Sequence, residues 1–399
     1  MMVFIRSFLM TAIAIAMALG LSPFILLSRL RGKNTRTKPR LLWGTTSIVS
    51  LPMNAQALRN KGYVSHAFAL ANPGFAVPDG FHTIIKETGD SGFWNRRVVG
   101  TYKAVRFFIA ALNTYDIFHF FFTGGILRKT PLMYLEFWLL KLAGKQVIVF
   151  PYGSDAFAPS LIPYSQWRDV LVADYPSLLE RDKEIVQKLS TYCRDAEVVV
   201  GCLVHQATLP RWDALMLTCY PVETDILVPV YPSGKNERLK IFHAPNHRTI
   251  KGTSHLIDAV KKLQAEGLNI ELDLAERCPH AEVLERMSQA DLVVDQLNFG
   301  YGLTALEAMA LGKMVITGKN PPEHDRLFED YGLNECPAIW SSPGEIEGCL
   351  QEIASKPDEW QRLGEQSRSY AERYHSTDAI ADNWIAIYKD MGLVIEPDS

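Results

Sequence analysis

The chain has 399 residues, 48% of them apolar and 21% charged, with a formal net charge of −3. That is enough apolar material for two or three cores, and it excludes a disordered or collagen-like chain. Nine Lys or Arg and no acid precede Asp79, so residues 79–399 carry −12, and no nucleic-acid partner is expected. Six scattered cysteines without a Cys-x-x-Cys pair argue against a zinc module or a disulfide scaffold and fit a reducing compartment.

Ser7 to Ser28 is a run of 22 uncharged residues, almost wholly apolar. As a helix it spans about 33 Å, enough to cross a hydrocarbon core of about 30 Å, and Pro23 would kink it without preventing insertion. Arg29, Arg31, Lys33, Arg36, Lys38 and Arg40 follow it, against Arg6 alone before it. The positive-inside rule then predicts a single-pass membrane anchor with the remaining chain on the cytoplasmic side, in contact with membrane lipids. A cleaved signal should have a shorter apolar region and its charge upstream, and a mitochondrial presequence should be amphipathic. A buried core helix is the remaining alternative.

Past Arg40 short apolar runs alternate with helical-period segments, the pattern of α/β layering. Strands are predicted at Leu41–Trp43, Ile117–Phe122, Gln146–Phe150 and Glu197–Gly201, with helices at Met53–Lys61 and Pro131–Leu142. Tyr220–Asn236, with three prolines and a Ser-Gly-Lys-Asn stretch, reads as a linker. The alternation then restarts with strands at Leu239–His243, Ile270–Ala275, Asp291–Asp295 and Met314–Thr317 and helices between them; helices close the chain. The expected division is 1–39 anchor and basic flank, 40–222 first Rossmann-like domain, 223–375 second Rossmann-like domain, and 376–399 a C-terminal helix crossing back to the first. Ligands of such folds sit at the carboxyl ends of parallel strands, which puts the site between two facing domains.

Two stretches carry chemistry. Phe299 to Ile316 (FGYGLTALEAMALGKMVI) turns through Gly300 and Gly302 into a helix opening at Leu303 and Thr304, whose exposed N–H groups suit a diphosphate. One turn in, Glu307 offers a carboxylate for the vicinal hydroxyls of a ribose. Read alone, Glu307 is as well a solvated helix residue, and the glycines mere turn formers. The spacing Gly300-x-Gly302-x-x-Ala305 also fits a relaxed dinucleotide fingerprint, but that belongs after the first strand of its domain, and here it follows a late one. The second stretch, His243 to Leu263, leads a strand into a polar loop with Arg248 and Lys251 before a helix, two bases suited to phosphate oxygens.

Together these stretches resemble the donor half of GT-B fold glycosyltransferases, specifically family 4 (group 1), which place an Arg/Lys pair and a Glu-x7-Glu element around a nucleoside-diphosphate sugar. Glu307 matches the second Glu; Ala290–Gln296 and Tyr220–Asp225 also read like that family. The first Glu position falls on Phe299, leaving the donor sugar to Asn298 or backbone, and the usual Arg falls on Asn246, with Arg248 as substitute. The resemblance implies a nucleotide-sugar-dependent, retaining hexosyltransferase, with no covalent residue assigned. The anchor adds a lipid-linked or other membrane glycan acceptor, as in surface polysaccharide synthesis. On the acceptor side it implies first-domain loops: Gly44 and Thr45, Gly124 and Gly125, with His119 and Asp155 as catalytic candidates. His119 between two phenylalanines is equally a core residue. No Asp-x-Asp occurs, so no metal or other cofactor is expected, bases and a helix dipole serving the diphosphate. Phe93 to Leu112 mixes aromatics with four bases, as a lipid-facing segment or as an ordinary amphipathic helix. Two rival functions stay open: a GT-B sugar-nucleotide epimerase-type enzyme, and a catalytically inactive, anchored glycan-assembly subunit.

Overall fold

A computed structural model describes residues 2–31, 38–71, 77–86, 93–235 and 238–393. Lys33 and Arg36 of the basic flank, Asn236 of the linker and residues 394–399 lie outside them. Seven parallel strands, β1 (Leu41–Gly44), β2 (Ser65–Ala71), β3 (Thr83–Lys86), β4 (Ile117–Phe121), β5 (Gln146–Phe150), β6 (Val198–Cys202) and β7 (Ala214–Met216), form one sheet in the order β3-β2-β1-β4-β5-β6-β7. Helices α1 (Met2–Arg31), α2 (Ser50–Asn60), α3 (Phe93–Thr114), α4 (Glu136–Leu142), α5 (Ser165–Asp174) and α6 (Ser177–Asp195) accompany it. β4 and β5 read as unbroken apolar runs because both faces of a parallel sheet are covered. α1 does not stand off the domain: Ala14, Leu21 and Ile25 enter the same core cluster as Phe108 and Leu112 of α3.

The second sheet has five parallel strands, β8 (Leu239–His243), β9 (Ile270–Leu274), β10 (Leu292–Val294), β11 (Met314–Gly318) and β12 (Ile339–Ser341), in the order β12-β11-β10-β8-β9. Its helices are α7 (Arg248–Lys251), α8 (Thr253–Ala265), α9 (His280–Ser288), α10 (Leu303–Ala310), α11 (Pro322–Phe328), α12 (Ile346–Ala354) and α13 (Trp360–Tyr370). The connecting segment is pinned rather than loose: the Arg368 guanidinium donates to the carbonyls of Thr224 and Leu227 at 2.7 Å each.

Some local readings shift. The helix expected from Pro131 begins at Glu136, after a run of turns, and β2, β3, β7, β12, α5 and α6 have no counterpart among the predicted elements. The short edge strands β7 and β12 have only three residues each, too few to show a period.

The chain recrosses at Ser376, which bridges Val222 in parallel, and α14 (Thr377–Asp390) then packs on the first domain beside α2. Trp384 of α14 is fully buried edge-on to Trp43 and Phe150, and its indole N–H donates to Asn54 Oδ1 at 2.8 Å. Each domain is thereby tied to the other twice, by the linker and by α14. Trp384→Ala is expected to destabilise the protein by about 3–5 kcal/mol, the range for deleting a buried aromatic, while Tyr388→Phe, which loses one hydrogen bond to His119, costs about 1 kcal/mol. Urea denaturation of the two variants checks the ordering.

Candidate functional site

In the second sheet the strand order reverses between β8 and β10, which are neighbours with Ile241 opposite Leu292. Loops leaving two such strands part to either side and open a crevice at their carboxyl ends. The loop after β8 carries Asn246 to Lys251, and the loop after β10 leads into α10. Adjacent strands, not adjacent sequence, bring these two stretches together.

The cleft facing the first domain has two adjoining compartments, of about 340 and 480 Å³, and Leu303 lines both. Lys251, Gly302, Phe299 and Asn246 face the first, opposite Tyr152, Ser154 and His205. Glu307 and His280 face the second, opposite Met53, Gln56 and Arg59. The N-terminus of α10 therefore stands at the junction of the compartments, with Glu307 one turn further on.

Asp295, at the end of β10, organises this junction. Its carboxylate is fully buried, accepts a hydrogen bond from the Lys251 ammonium and takes the Gly302 N–H at 2.8 Å. The pair fixes the base at the positive end of α10, beside the compartment that Lys251, Gly302 and Leu303 line, a setting suited to an anion. Glu307 is buried and accepts from His280 Nε2 at 2.7 Å, a bond that raises the His280 pKa. Asp295, His280 and His205 were not singled out in the sequence. The signal for Asp295 and His205 was available, since both stand at or just past the end of a strand.

His205 lies 5% exposed in the first compartment's wall, stacked on Phe157 with ring centroids 4.6 Å apart. Neither ring nitrogen makes a well-formed hydrogen bond, and the Gly153 backbone offsets burial only in part, so desolvation lowers its pKa to about 4. It is a neutral imidazole able both to donate to and accept from a hydroxyl.

Other candidate residues go elsewhere. His119 is fully buried, stacks on Trp43 at 3.7 Å and shares a 2.9 Å hydrogen bond with Tyr388 OH. Burial lowers its pKa to about 3; it is a core residue without access to the cleft. The Asp155 carboxylate lines neither compartment and accepts the N–H groups of Phe122 (3.0 Å), Tyr152 (3.1 Å) and Gly153 (2.9 Å). Burial pushes its pKa up to about 7 against those bonds, and its role is to hold the turn. Thr45 is buried and donates to the Gly124 carbonyl at 2.9 Å. Gly44 and Gly125 are pressed against Phe68 and Glu136, so these four loop residues are spent on packing rather than on acceptor contacts.

On the donor side, Arg248 turns outward into a bidentate pair with Glu276, both bonds 2.8 Å, and does not face the cleft. Gly300 sits against Asn320, and Thr304 is half-buried in the first turn of α10 without lining either compartment. Asn298 donates to the Thr249 carbonyl at 2.8 Å. Phe299 packs against Trp167 of α5 at 4.7 Å and so joins the two domains, because a ring with no hydrogen-bonding group is best placed among other rings. Among the described residues no cluster of His, Cys, Asp or Glu suited to a metal occurs.

No family model matches the chain. It is 22% identical over 251 residues to an MMP alpha-(1->4)-mannosyltransferase of Mycolicibacterium hassiacum, a match covering 56% of this chain. The chain spans only 59% of the length of that curated relative. Among solved structures, Anabaena Alr3699/HepE in complex with UDP and glucose aligns with a TM-score of 0.53 at 12% identity, over 88% of this chain and 100% of that one. A glycosyltransferase from Rickettsia africae gives 0.54 at 14% identity, over 89% and 99%. The catalytic domain of starch synthase IV from Arabidopsis thaliana, bound to ADP and acarbose, gives 0.54 at 11%, over 88% and 99%. Fold, not activity, is what this level of likeness shows: two parallel-sheet domains in the GT-B arrangement.

Removing Asp155 strands three buried N–H groups, so Asp155→Ala is expected to cost about 3 kcal/mol of stability, and Asp155→Asn less. Thermal denaturation decides the point: a general base would instead lose turnover with its melting temperature unchanged.

Proposed function

We propose that this chain is a glycosyltransferase that takes a hexose from a nucleoside-diphosphate sugar. The observation that carries the reading is the junction of Lys251, Asp295 and the α10 N-terminus, with Glu307 in the adjoining compartment. A nucleoside lies in the Glu307 compartment, its diphosphate crosses at Leu303, and the sugar enters the compartment lined by Tyr152 and His205. Transfer breaks the bond between the anomeric carbon and the β-phosphate oxygen, whose electron pair leaves with the nucleoside diphosphate. The acceptor hydroxyl bonds to that carbon and passes its proton to the departing β-phosphate oxygen. Lys251 and the helix N-terminus stabilise the charge that grows on the leaving phosphate. The mannosyltransferase match and the glycosyltransferases among the structural relatives support this chemistry.

The acceptor we assign is a membrane-borne glycan, such as a lipid-linked intermediate of surface polysaccharide, with α1 as the membrane attachment and the cleft on the cytoplasmic side. Retention of configuration is the expected outcome. The support is the 20-residue apolar stretch Thr11–Leu30, which is long and apolar enough for a membrane, and the basic flank that follows it. A second reading, an inactive assembly subunit, is favoured by one observation: Phe299 occupies the position of a sugar-binding acid and is committed to Trp167.

Turnover with a panel of nucleotide sugars and membrane extract separates the two, since an inactive subunit binds nucleotide without transfer. Absence of any nucleotide binding by calorimetry overturns both. Glu307→Ala is expected to weaken nucleoside and diphosphate alike by about 1.5–3 kcal/mol. Lys251→Gln should weaken the diphosphate by a similar amount and the free nucleoside little. Arg248→Ala, paired with Glu276 at the surface, should change binding by less than about 0.5 kcal/mol. Equal losses for nucleoside and diphosphate in Lys251→Gln would remove the base from the phosphate site.

A further inference from the structure

Between Thr11 and Ser28, α1 carries no charged residue on any side. Ala14, Leu21, Ile25 and Ser28 are its buried stripe, at spacings of seven, four and three residues, and Ser28 Oγ donates to the Leu112 carbonyl of α3 at 2.9 Å. Ile15, Leu19, Leu26 and Leu30, spaced by four, seven and four, form the opposite stripe, and each is more than half exposed. A surface helix of a water-soluble domain carries polar residues there. The apolar surface continues onto the helices that α1 touches, with Val98 and Tyr102 of α3 and Trp138 of α4 also more than half exposed.

Charge on the same three helices is one-sided. α1, α3 and α4 together contain eight Lys or Arg and a single acid, Glu136. That acid is fully buried, accepting the N–H groups of Ile126 and Leu127 at 2.6 and 2.9 Å. Exposed Glu197, beside α4, is paired with Lys141 at 3.3 Å. In a chain of net charge −3, an apolar face on helices that carry many bases and no exposed acid complements a bilayer of anionic lipid.

The packing also bears on how α1 meets that bilayer. If α1 crossed the membrane, residues 14–28 would occupy its hydrocarbon core, and their contacts with α3 would carry Lys103 and Arg106 in with them. Charges at that depth cost several kcal/mol each. Laid along the surface, α1 buries its outward stripe in the acyl boundary while the bases of α3 stay at headgroup level.

We propose that α1, with the exposed faces of α3 and α4, forms an in-plane docking surface for an anionic phospholipid bilayer, holding the first domain flat on one leaflet rather than on a transmembrane stalk. α3 begins just past the carboxyl end of β3, the cleft end of the first sheet, so the surface reaches the rim where a lipid-borne acceptor would enter. This deepens the membrane assignment above but stands apart from the donor chemistry, because lipid binding needs no nucleotide.

The test uses the full chain and vesicles of phosphatidylcholine with about 30% phosphatidylglycerol. Wild type should float with the vesicles, and Leu19→Glu/Leu26→Glu/Leu30→Glu, with an unchanged melting temperature, should bind at least about tenfold less. Brominated lipid should quench a component of the fluorescence that disappears in Trp138→Phe. Tags at the two termini should be cleaved by protease from the same side of an inverted membrane vesicle. Tags on opposite sides, or no quenching assignable to Trp138, overturn the in-plane surface. Either result leaves nucleotide binding by the cleft to be judged separately.

Discussion

The buried carboxylate of Asp295 is the constraint on which the candidate site depends. It closes β10, the central strand of the second sheet, and joins a base from the β8 loop to the N–H of Gly302, the residue that caps α10. A buried charge without a partner is strongly destabilising, and a buried base likewise, so each holds the other in place. The result is a preorganised positive corner at a helix N-terminus whose net charge is tempered by its own acid. An anion entering there competes with Asp295 for Lys251, while the helix N-terminus adds the N–H groups that every α-helix leaves without an intrahelical partner.

The first domain uses the same device for a different end. Asp155 and Glu136 are both buried carboxylates that gather backbone N–H groups from turns following β4 and β5. Burial raises the pKa of Asp155 to about 7 and of Glu136 to about 8, while the donated hydrogen bonds pull the other way. Such residues at strand ends look like acid–base catalysts in a sequence, yet their lone pairs are already committed. What remains for a substrate is the surface these turns present: the Tyr152–Ser154 backbone, and His205, which the turns leave without a firm partner.

Domain association is aromatic as much as polar. Phe299 reaches Trp167 across the cleft's edge, and Tyr164 and Trp167 lie edge-on to His324 of α11 at 5.2 and 5.3 Å. On the other side α14 inserts Trp384 and Tyr388 against Trp43 and His119. His119 is thus part of the seam that returns the C-terminus to the first domain, and its ring is used for stacking and two hydrogen bonds, not for proton transfer.

What the sequence determined by itself was the layering. Continuous apolar runs such as Ile117–Phe121 and Gln146–Phe150, punctuated by glycine and helical period, are local signals of buried parallel strands. The stretch from Phe299 to Ile316 likewise announced a turn, a helix start and a carboxylate one turn in, because helix N-termini obey local rules. Tertiary structure alone decided which residues meet. Strand order set β8 beside β10 and brought Lys251 to Gly302, while Arg248, three residues earlier on the same short helix, turned to Glu276. It also decided which carboxylates and imidazoles were free, since that depends on donors tens of residues away, as Phe122 is for Asp155 and Tyr388 for His119. And it laid α1 along α3, a placement that length and hydropathy cannot supply, because they measure how much apolar surface a helix has and not which side of it a neighbouring helix covers.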